Sequence, residues 1–470
     1  MADIKVAIIG GGSVRYAPSI IGDLAKTEEL SGISVCLMDI DKRRLEAVYS
    51  LAQRYAKELG TCLKLEKTMS METALDGADF VIQTALARSE GHQDGYEQYE
   101  IIREIGERHG YYRGIDSQEF NMVSDYYTFS NYNQLKLSLD IGRAVEKICP
   151  DAWLIQTANP VFEITQLLLR QTKVKAVGFC HGFKGVQRIC TALGLDYAQV
   201  DWQVAGVNHG IWLTRFLYKG ENAYPILDEW IEKESDKWEP KDPWDMQMSP
   251  AAIDMYRFYG RMPVGDTVRN GSWKYHYNLE TKKKWFGKFG GIDNEIERPK
   301  FYSQLRWRRE QFIKASGDPS IKLSEIWPEG FSKGKMSGEQ QVPFINAIVN
   351  DRKTRLVLNI LNNGTISGIP DDVVVEVPVI VDKNGVHPEK IEPDVPRRIK
   401  IMYLMPRIIR MEMALEAFLT GDRRVLEEVL IRDPRTRSYE QAKNVIDEIL
   451  SLPFNEEMKE HYTKTLKEVT

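Results

Sequence analysis

The sequence predicts an α/β protein whose N-terminal part is a doubly wound parallel sheet. Three observations carry this. Short apolar runs alternate with amphipathic helical stretches, the first run ends in a triple glycine, and the runs are apolar enough to be buried strands. In chain order, IKVAIIGGGS is a strand ending in a glycine turn, Ala17 to Leu30 is helical, SVCLMDID is a strand, and DKRRLEAVYSLAQRYAKEL is an amphipathic helix. LKLEKTM and ADFVIQTAL are further strands around a helix near METALDG. NYNQLKLSLDIGRAVEKICP is a long helix, and AWLIQTANPV and KAVGFCH are strands. After Asp201 the alternation stops. Tryptophan- and charge-rich helices dominate 220–340, VVVEVPVIV is a late strand, and IIRMEMALEAFLTGDRRVLEEVLIRDP is helical. The change divides the chain into residues 1–200 and 201–470. The absence of an internal repeat or a low-complexity linker predicts close packing of the two parts.

Composition narrows the class. A chain of 470 residues suits two or three domains of roughly 100–200 residues each. A net charge of −5 gives no basic field for nucleic acid or an anionic membrane. No apolar run is long enough to span a bilayer. MADIKVAIIGGG enters a strand directly, unlike a signal peptide. Five scattered cysteines, Cys36, Cys62, Cys149, Cys180 and Cys190, suit reduced thiols and a cytoplasmic location rather than a disulfide frame.

Gly10, Gly11 and Gly12 sit at a strand-to-helix turn, where a pyrophosphate can reach a helix N-terminus. Ser13 and Thr84 join them as expected cofactor contacts. Asp39 closes the second strand, where a carboxylate accepts a ribose 2′-hydroxyl and repels a 2′-phosphate, so NAD is expected over NADP. Arg15 stands where a third fingerprint glycine would be. These features predict a Rossmann-type N-terminal domain.

The segment KAVGFCHGFKGV places Cys180 beside His181 between Gly178 and Gly182, and WQVAGVNHGIWLTRF carries Asn208 and His209. One such pair alone reads as core. Here both lie at strand ends, on the side where open α/β sheets bind ligands. No CxxC supplies a structural zinc site. Two protein ligands would leave positions open for substrate oxygens and water, as a catalytic metal requires.

AIIGGGS, TANPV, GFCHG, AGVNH and NNGTISGIPDDVVVEVPVIV occur in that order. Together they resemble glycoside hydrolase family 4, the NAD- and manganese-dependent glycosidases, which are exceptions to the two-carboxylate rule. The resemblance runs from Val6 to about Pro388 and implies a lactate/malate-dehydrogenase-like α+β C-terminal domain. It implies that Cys180 and His209 hold Mn²⁺ or another divalent ion. His181 would stand beside the leaving group, and Asn159 and Asn208 would contact the sugar. The implied chemistry begins with hydride transfer from C3 of the sugar to NAD⁺. The metal polarises the ketone, a base removes the C2 proton, and the glycosidic oxygen leaves C1. Water then adds and the hydride returns to C3. The family also implies a homodimer or homotetramer.

The base is expected in MYRFYGRMPVGDTVRNGSWKYHYN. Asp266, in a turn-like PVGDT, is favoured because a carboxylate needs less tuning near neutral pH than a phenol. Tyr256, Tyr259, Tyr275 and Tyr277 compete and otherwise read as packing residues. Arg88, His92, Arg103, Arg113 and Asp116 stand where many relatives are glycine-rich, and Arg88 and Arg113 are nominated to face the cofactor or sugar. CHG followed by an aromatic residue resembles the α-glucuronidase group. Lys184 and Arg269 are candidate partners for a uronate carboxylate. α-Galacturonidase and α-glucosidase remain open. An NAD-dependent sugar-acid or hydroxy-acid dehydrogenase and a non-catalytic NAD-binding regulator are rival classes. Neither explains the ordered motif set.

Overall fold

Apolar strands buried on both faces need helices on both sides, and the chain supplies them. The computed structural model describes residues 4–88, 94–113, 131–326, 331 and 334–463. Strands β1 (Lys5–Ile9), β2 (Ser34–Met38), β3 (Lys64–Thr68), β4 (Phe80–Gln83), β5 (Trp153–Gln156) and β6 (Lys175–Phe179) pair in parallel. Their order is β3-β2-β1-β4-β5-β6, that of a dinucleotide-binding sheet. Asp41 caps the helix Lys42–Leu59 by accepting from the Arg44 N–H, and Gly60 ends it in the left-handed region at φ +68°. The helix expected to reach Leu30 stops at Lys26; Thr27 is extended, and a 3₁₀ turn covers Glu28–Leu30.

The sheet does not end at β6. β7 (Val200–Val207), β8 (Gly210–Tyr218), β9 (Glu221–Asn222), β10 (Pro263–Val264), β11 (Thr354–Leu361), β12 (Val374–Asp382) and β13 (Gly385–Pro388) continue it. β11 pairs antiparallel with β6, then β12, β7, β8 and β10 follow, all antiparallel. The late VVVEVPVIV strand, together with β11, therefore lies between β6 and β7, which are neighbours in sequence. The two parts of the chain share one sheet and one apolar core.

Register determines what lies at the sheet's active edge. One row of paired residues crosses nine strands: Ile9, Gln83, Gln156, Gly178, Asn359, Glu376, Gly206, Ile211 and Val264. Gly10, Thr84, Cys180, His209 and Asp266 all follow within a few residues of this row. The row is unusual for a core because Gln83, Gln156 and Asn359 are fully buried and Glu376 nearly so. The glutamines brace the loops above them. Gln83 accepts from the Ala85 N–H at 2.7 Å, and the Gln156 amide donates to the Ala158 carbonyl at 2.6 Å.

Among the described residues, no helix is long and apolar enough to cross a membrane.

A buried glutamine ties the early helix Val161–Gln171 to the start of β12. The Gln166 amide donates to the Asp372 carbonyl at 2.6 Å, and its oxygen accepts from the Val374 N–H at 2.7 Å. Gln166→Leu leaves the buried Val374 N–H without this partner, at about 1–3 kcal/mol. The midpoint of denaturant unfolding should fall accordingly. An unchanged midpoint would show that this link is not what joins the two parts.

Candidate functional site

A cleft of about 530 Å³ opens above the row. Gly10, Gly12, Ser13, Asp39, Thr84 and Asn159 line one part, and Cys180, His181, His209 and Asp266 line the other.

The glycine turn is shaped for close approach. Gly10 has φ +90°, and a Cβ there would meet the Ala85 nitrogen at 2.7 Å. Gly11 differs from the expectation that it contacts cofactor. It is absent from the cleft lining, and a Cβ would meet the Leu37 Cβ at 2.9 Å, so its role is to let the turn pack on β2. Asp39 accepts from the Gly12 N–H at 3.0 Å and the Asp41 N–H at 2.8 Å. A carboxylate has further lone pairs for a ribose hydroxyl. The Thr84 hydroxyl donates to the Ile9 and Gly10 carbonyls at 3.2 Å each, which secures the turn. These residues could hold a dinucleotide: the backbone comes close, the helix Ala17–Lys26 begins nearby, and Asp39 lies at the wall.

The second cluster is assembled from three elements. Cys180 follows β6, His209 lies in the β7–β8 turn, and Asp266 follows β10. His209 has φ +54°, a left-handed conformation costing a non-glycine residue roughly 1–2 kcal/mol. Its turn is clamped. Arg407 donates to the Asn208 carbonyl at 2.5 Å, and the Asn270 amide donates to the His209 carbonyl at 3.1 Å. Thr267 accepts from the Ile211 N–H at 2.8 Å and donates to the Ile211 carbonyl at 2.9 Å, which brings neighbouring Asp266 to the same place. One atom each from Cys180, His209 and Asp266 lies within 4.8 Å of the others. This mixed sulfur, nitrogen and oxygen set could hold a divalent first-row ion with positions left open.

The electrostatics are those of a buried charge cluster. Burial raises the Cys180 thiol, Glu376 adds to this, and His209 opposes it. Burial would also raise Asp266, but the Arg269 guanidinium, with His209 and His181, holds it well below the usual carboxylate range. Arg269 Nη1 donates to Asp266 Oδ1 at 3.0 Å, while its Nε and Nη2 grip Asp293 at 2.7 Å each. Asp266 Oδ2 faces His209 Nε2 at 3.4 Å. Tyr256, Tyr259, Tyr275 and Tyr277 are not among the described residues lining the cleft, and Tyr256 donates to Asp228 instead.

Asn208 is also placed differently from the expectation that it contacts sugar. It is fully buried and absent from the cleft lining, and its amide donates to Glu376 Oε2 at 2.9 Å. The hairpin turns His209 toward the cleft and Asn208 into the sheet. Arg88 lines the cleft but faces Asp41 at 3.4 Å. Arg113 is buried against Glu107 and is absent from the lining. His92 and Asp116 lie outside the described residues. Lys184 is paired with Glu339 at 2.9 Å.

Two site residues escaped the sequence reading. Glu376 is a carboxylate inside an apolar strand run, a signal visible in VVVEVPVIV. Burial raises its pKa. Glu339 lines the cleft from an irregular segment with no motif, so sequence offered no signal. Burial would raise it, but the His181 and Lys184 groups outweigh that and bring it down to about 2.

The profile described as "Family 4 glycosyl hydrolase" matches residues 5–195, and "Family 4 glycosyl hydrolase C-terminal domain" matches 204–436. A "Probable 6-phospho-beta-glucosidase" of Bacillus subtilis is 28% identical over 460 residues, covering 95% of this chain and 96% of that protein. An "Alpha-galacturonidase" of Thermoanaerobacter italicus is 27% identical over 478 residues, covering 95% of each. The 6-phospho-beta glucosidase of Thermotoga maritima, solved with manganese, NAD⁺ and glucose-6-phosphate, superposes with a TM-score of 0.72 at 21% identity, covering 98% of this chain and 99% of that one. The expected dehydrogenase-like fold is also borne out. Lactate dehydrogenase of Eimeria maxima superposes at a TM-score of 0.52 with 14% identity, covering 90% of this chain and 96% of that one. With both profiles in sequence order along nearly the whole chain, this protein belongs to glycosyl hydrolase family 4.

Proposed function

We propose that the chain hydrolyses α-glycosides, α-glucuronides foremost, by NAD-dependent redox–elimination chemistry with a divalent metal, Mn²⁺ as in the Thermotoga relative. The observation that carries this reading is that one cleft joins the glycine turn to the Cys180–His209–Asp266 cluster. Gly10, Gly12, Ser13, Thr84 and Asp39 would hold NAD, and Cys180 and His209 the metal. When bound, the nicotinamide supplies reversible hydride transfer and the metal supplies Lewis-acid polarisation.

The chain's own groups do the rest. Asp266, held ionised by Arg269, would accept the C2 proton through Oδ2; the same pairing lowers its basicity, so the transfer relies on the adjacent ketone to make C2–H acidic. His181, with its side chain 41% exposed at the cleft, donates a proton to the departing oxygen. Asn159 orients sugar hydroxyls. Arg269 gives three of its five N–H groups to Asp266 and Asp293, and a uronate carboxylate would meet the others. The galacturonidase relative supports an acidic sugar. α-Galacturonides and α-glucosides are the alternatives.

A panel of α-glucuronide, α-galacturonide and α-glucoside with NAD⁺ and Mn²⁺ under reducing conditions should show fastest turnover of the glucuronide. Preference for another sugar would move the specificity, and no turnover of any would remove the reading. Chelation by EDTA should stop turnover and added Mn²⁺ should restore it. Cys180→Ser and His209→Ala should abolish turnover while NAD binding by fluorescence stays near wild type. Retention of most of the Mn²⁺-dependent rate would overturn that ligand assignment.

Product formed in D₂O should carry deuterium at C2, because redox–elimination breaks the C2–H bond and restores it from solvent, whereas paired-carboxylate hydrolysis never breaks it; unlabelled product would remove the reading. Asp266→Asn should lose the label and the rate together. Loss of metal affinity with labelling retained would instead make Asp266 a third ligand.

Asn208→Ala should lower thermal stability by about 1–3 kcal/mol, since Glu376 loses one of its buried amide donors. KM should change little. A large rise in KM without destabilisation would restore the sugar contact.

A further inference from the structure

We infer that Glu339 is the positioning residue for His181: it engages Nδ1 so that Nε2 is the nitrogen presented to the leaving group. The inference rests on the proposed role of His181 and extends it to a residue that no motif announces.

Glu339 Oε1 lies 3.4 Å from His181 Nδ1 and 2.9 Å from Lys184 Nζ. Glu339 and His181 both line the cleft. An imidazole held through one nitrogen by a carboxylate has its ring plane and its second nitrogen directed. Lys184 supplies a second anchor for the same oxygen, so the carboxylate is fixed from two sides.

The backbone holds Glu339 as firmly as its side-chain partners do. Two residues earlier, the Ser337 N–H and hydroxyl both donate to Asp23, which is 1% exposed on the helix Ala17–Lys26. One residue later, Gln340 donates to the Val357 carbonyl and accepts from the Val357 N–H, both at 2.8 Å, which docks it on β11. The irregular segment is therefore pinned on both sides of Glu339. Such preorganisation is what a positioning group requires.

The step served is a proton transfer. The His181 Nε2–H bond breaks and an O–H bond forms on the departing alcohol. The C1–O bonding pair stays with that oxygen. His181 then recovers the donated proton from solvent.

The test exploits leaving-group demand. An alkoxide needs protonation as it leaves, whereas p-nitrophenolate does not. The methyl and p-nitrophenyl glycosides of the sugar chosen by the panel are compared, with NAD⁺ and Mn²⁺ present. Glu339→Ala should lose about 10- to 100-fold more kcat/KM on the methyl glycoside than on the p-nitrophenyl glycoside, the size of loss typical of a residue acting through another and smaller than removal of a general acid outright. Glu339→Gln should fall between Ala and wild type, because its amide oxygen still accepts from Nδ1–H. His181→Ala should show the same split, at least as large. Circular dichroism and NAD binding check that each variant is folded. Equal losses on both substrates in folded Glu339→Ala would overturn the inference, as would a split in His181→Ala with none in the Glu339 variants. No split in His181→Ala would remove the reading of His181 itself, and the inference with it.

Discussion

The arrangement depends on one register constraint: the antiparallel insertion of β11 and β12 between β6 and β7. Gly178 faces Asn359, Asn359 faces Glu376, and Glu376 faces Gly206 across that seam. Because side chains alternate along a strand, a slip of one residue would turn every member of this row to the other face. Cys180 and His209 are 29 positions apart, and their meeting depends on the two intervening strands, which come from much later in the chain. Gly178 shows how tight the seam is: a Cβ there would lie 2.4 Å from Thr165 Oγ1 and 2.8 Å from the Asn359 Cβ.

The segment after β10 brings an electrostatic problem of its own. Asp266, Arg269, Asp293 and Arg298 are all largely removed from water, and Asp293 contacts both arginines. Buried charges persist when each is paired, since removing one partner strands the other at a cost of about 3–5 kcal/mol. Arg269 therefore does two things at once. It cancels charge in the core, and it holds Asp266 ionised and in one orientation toward His209. Glu376 shows the contrast: burial outweighs the Asn208 and Asn359 amides and the His209 imidazole, and its pKa rises.

The two walls of the cleft are built by different means. The glycine turn of the dinucleotide wall is local: a strand, a tight turn and a helix follow one another within 26 residues of sequence, and Asp39, Thr84 and Asn159 join it from later strand ends. The reactive wall is non-local and uses backbone strain at His209, a clamp from Arg407 and a pinned loop carrying Glu339. Strain and clamps of this kind are stable only where surrounding packing over-determines them.

By itself the sequence determined the parallel sheet, the glycine turn and Asp39, because apolar periodicity and ordered motifs encode local structure directly; the pairing of Cys180 with His209 was implied by the family resemblance, since it is not local. It also pointed to Asp266 as the acidic side chain of its segment. Only the tertiary structure decided which way each side chain faces. Asn208 and His209 are adjacent, yet the hairpin sends one into the sheet and the other into the cleft. Gly11 packs on β2 while Gly10 and Gly12 face the cleft. Lys184 and Arg269 read alike as isolated cations, but their partners, Glu339 and Asp293, lie 155 and 24 residues away. Those pairings come from long-range contacts, whose partners no local pattern names, so Glu339 became visible only when the chain had folded around it.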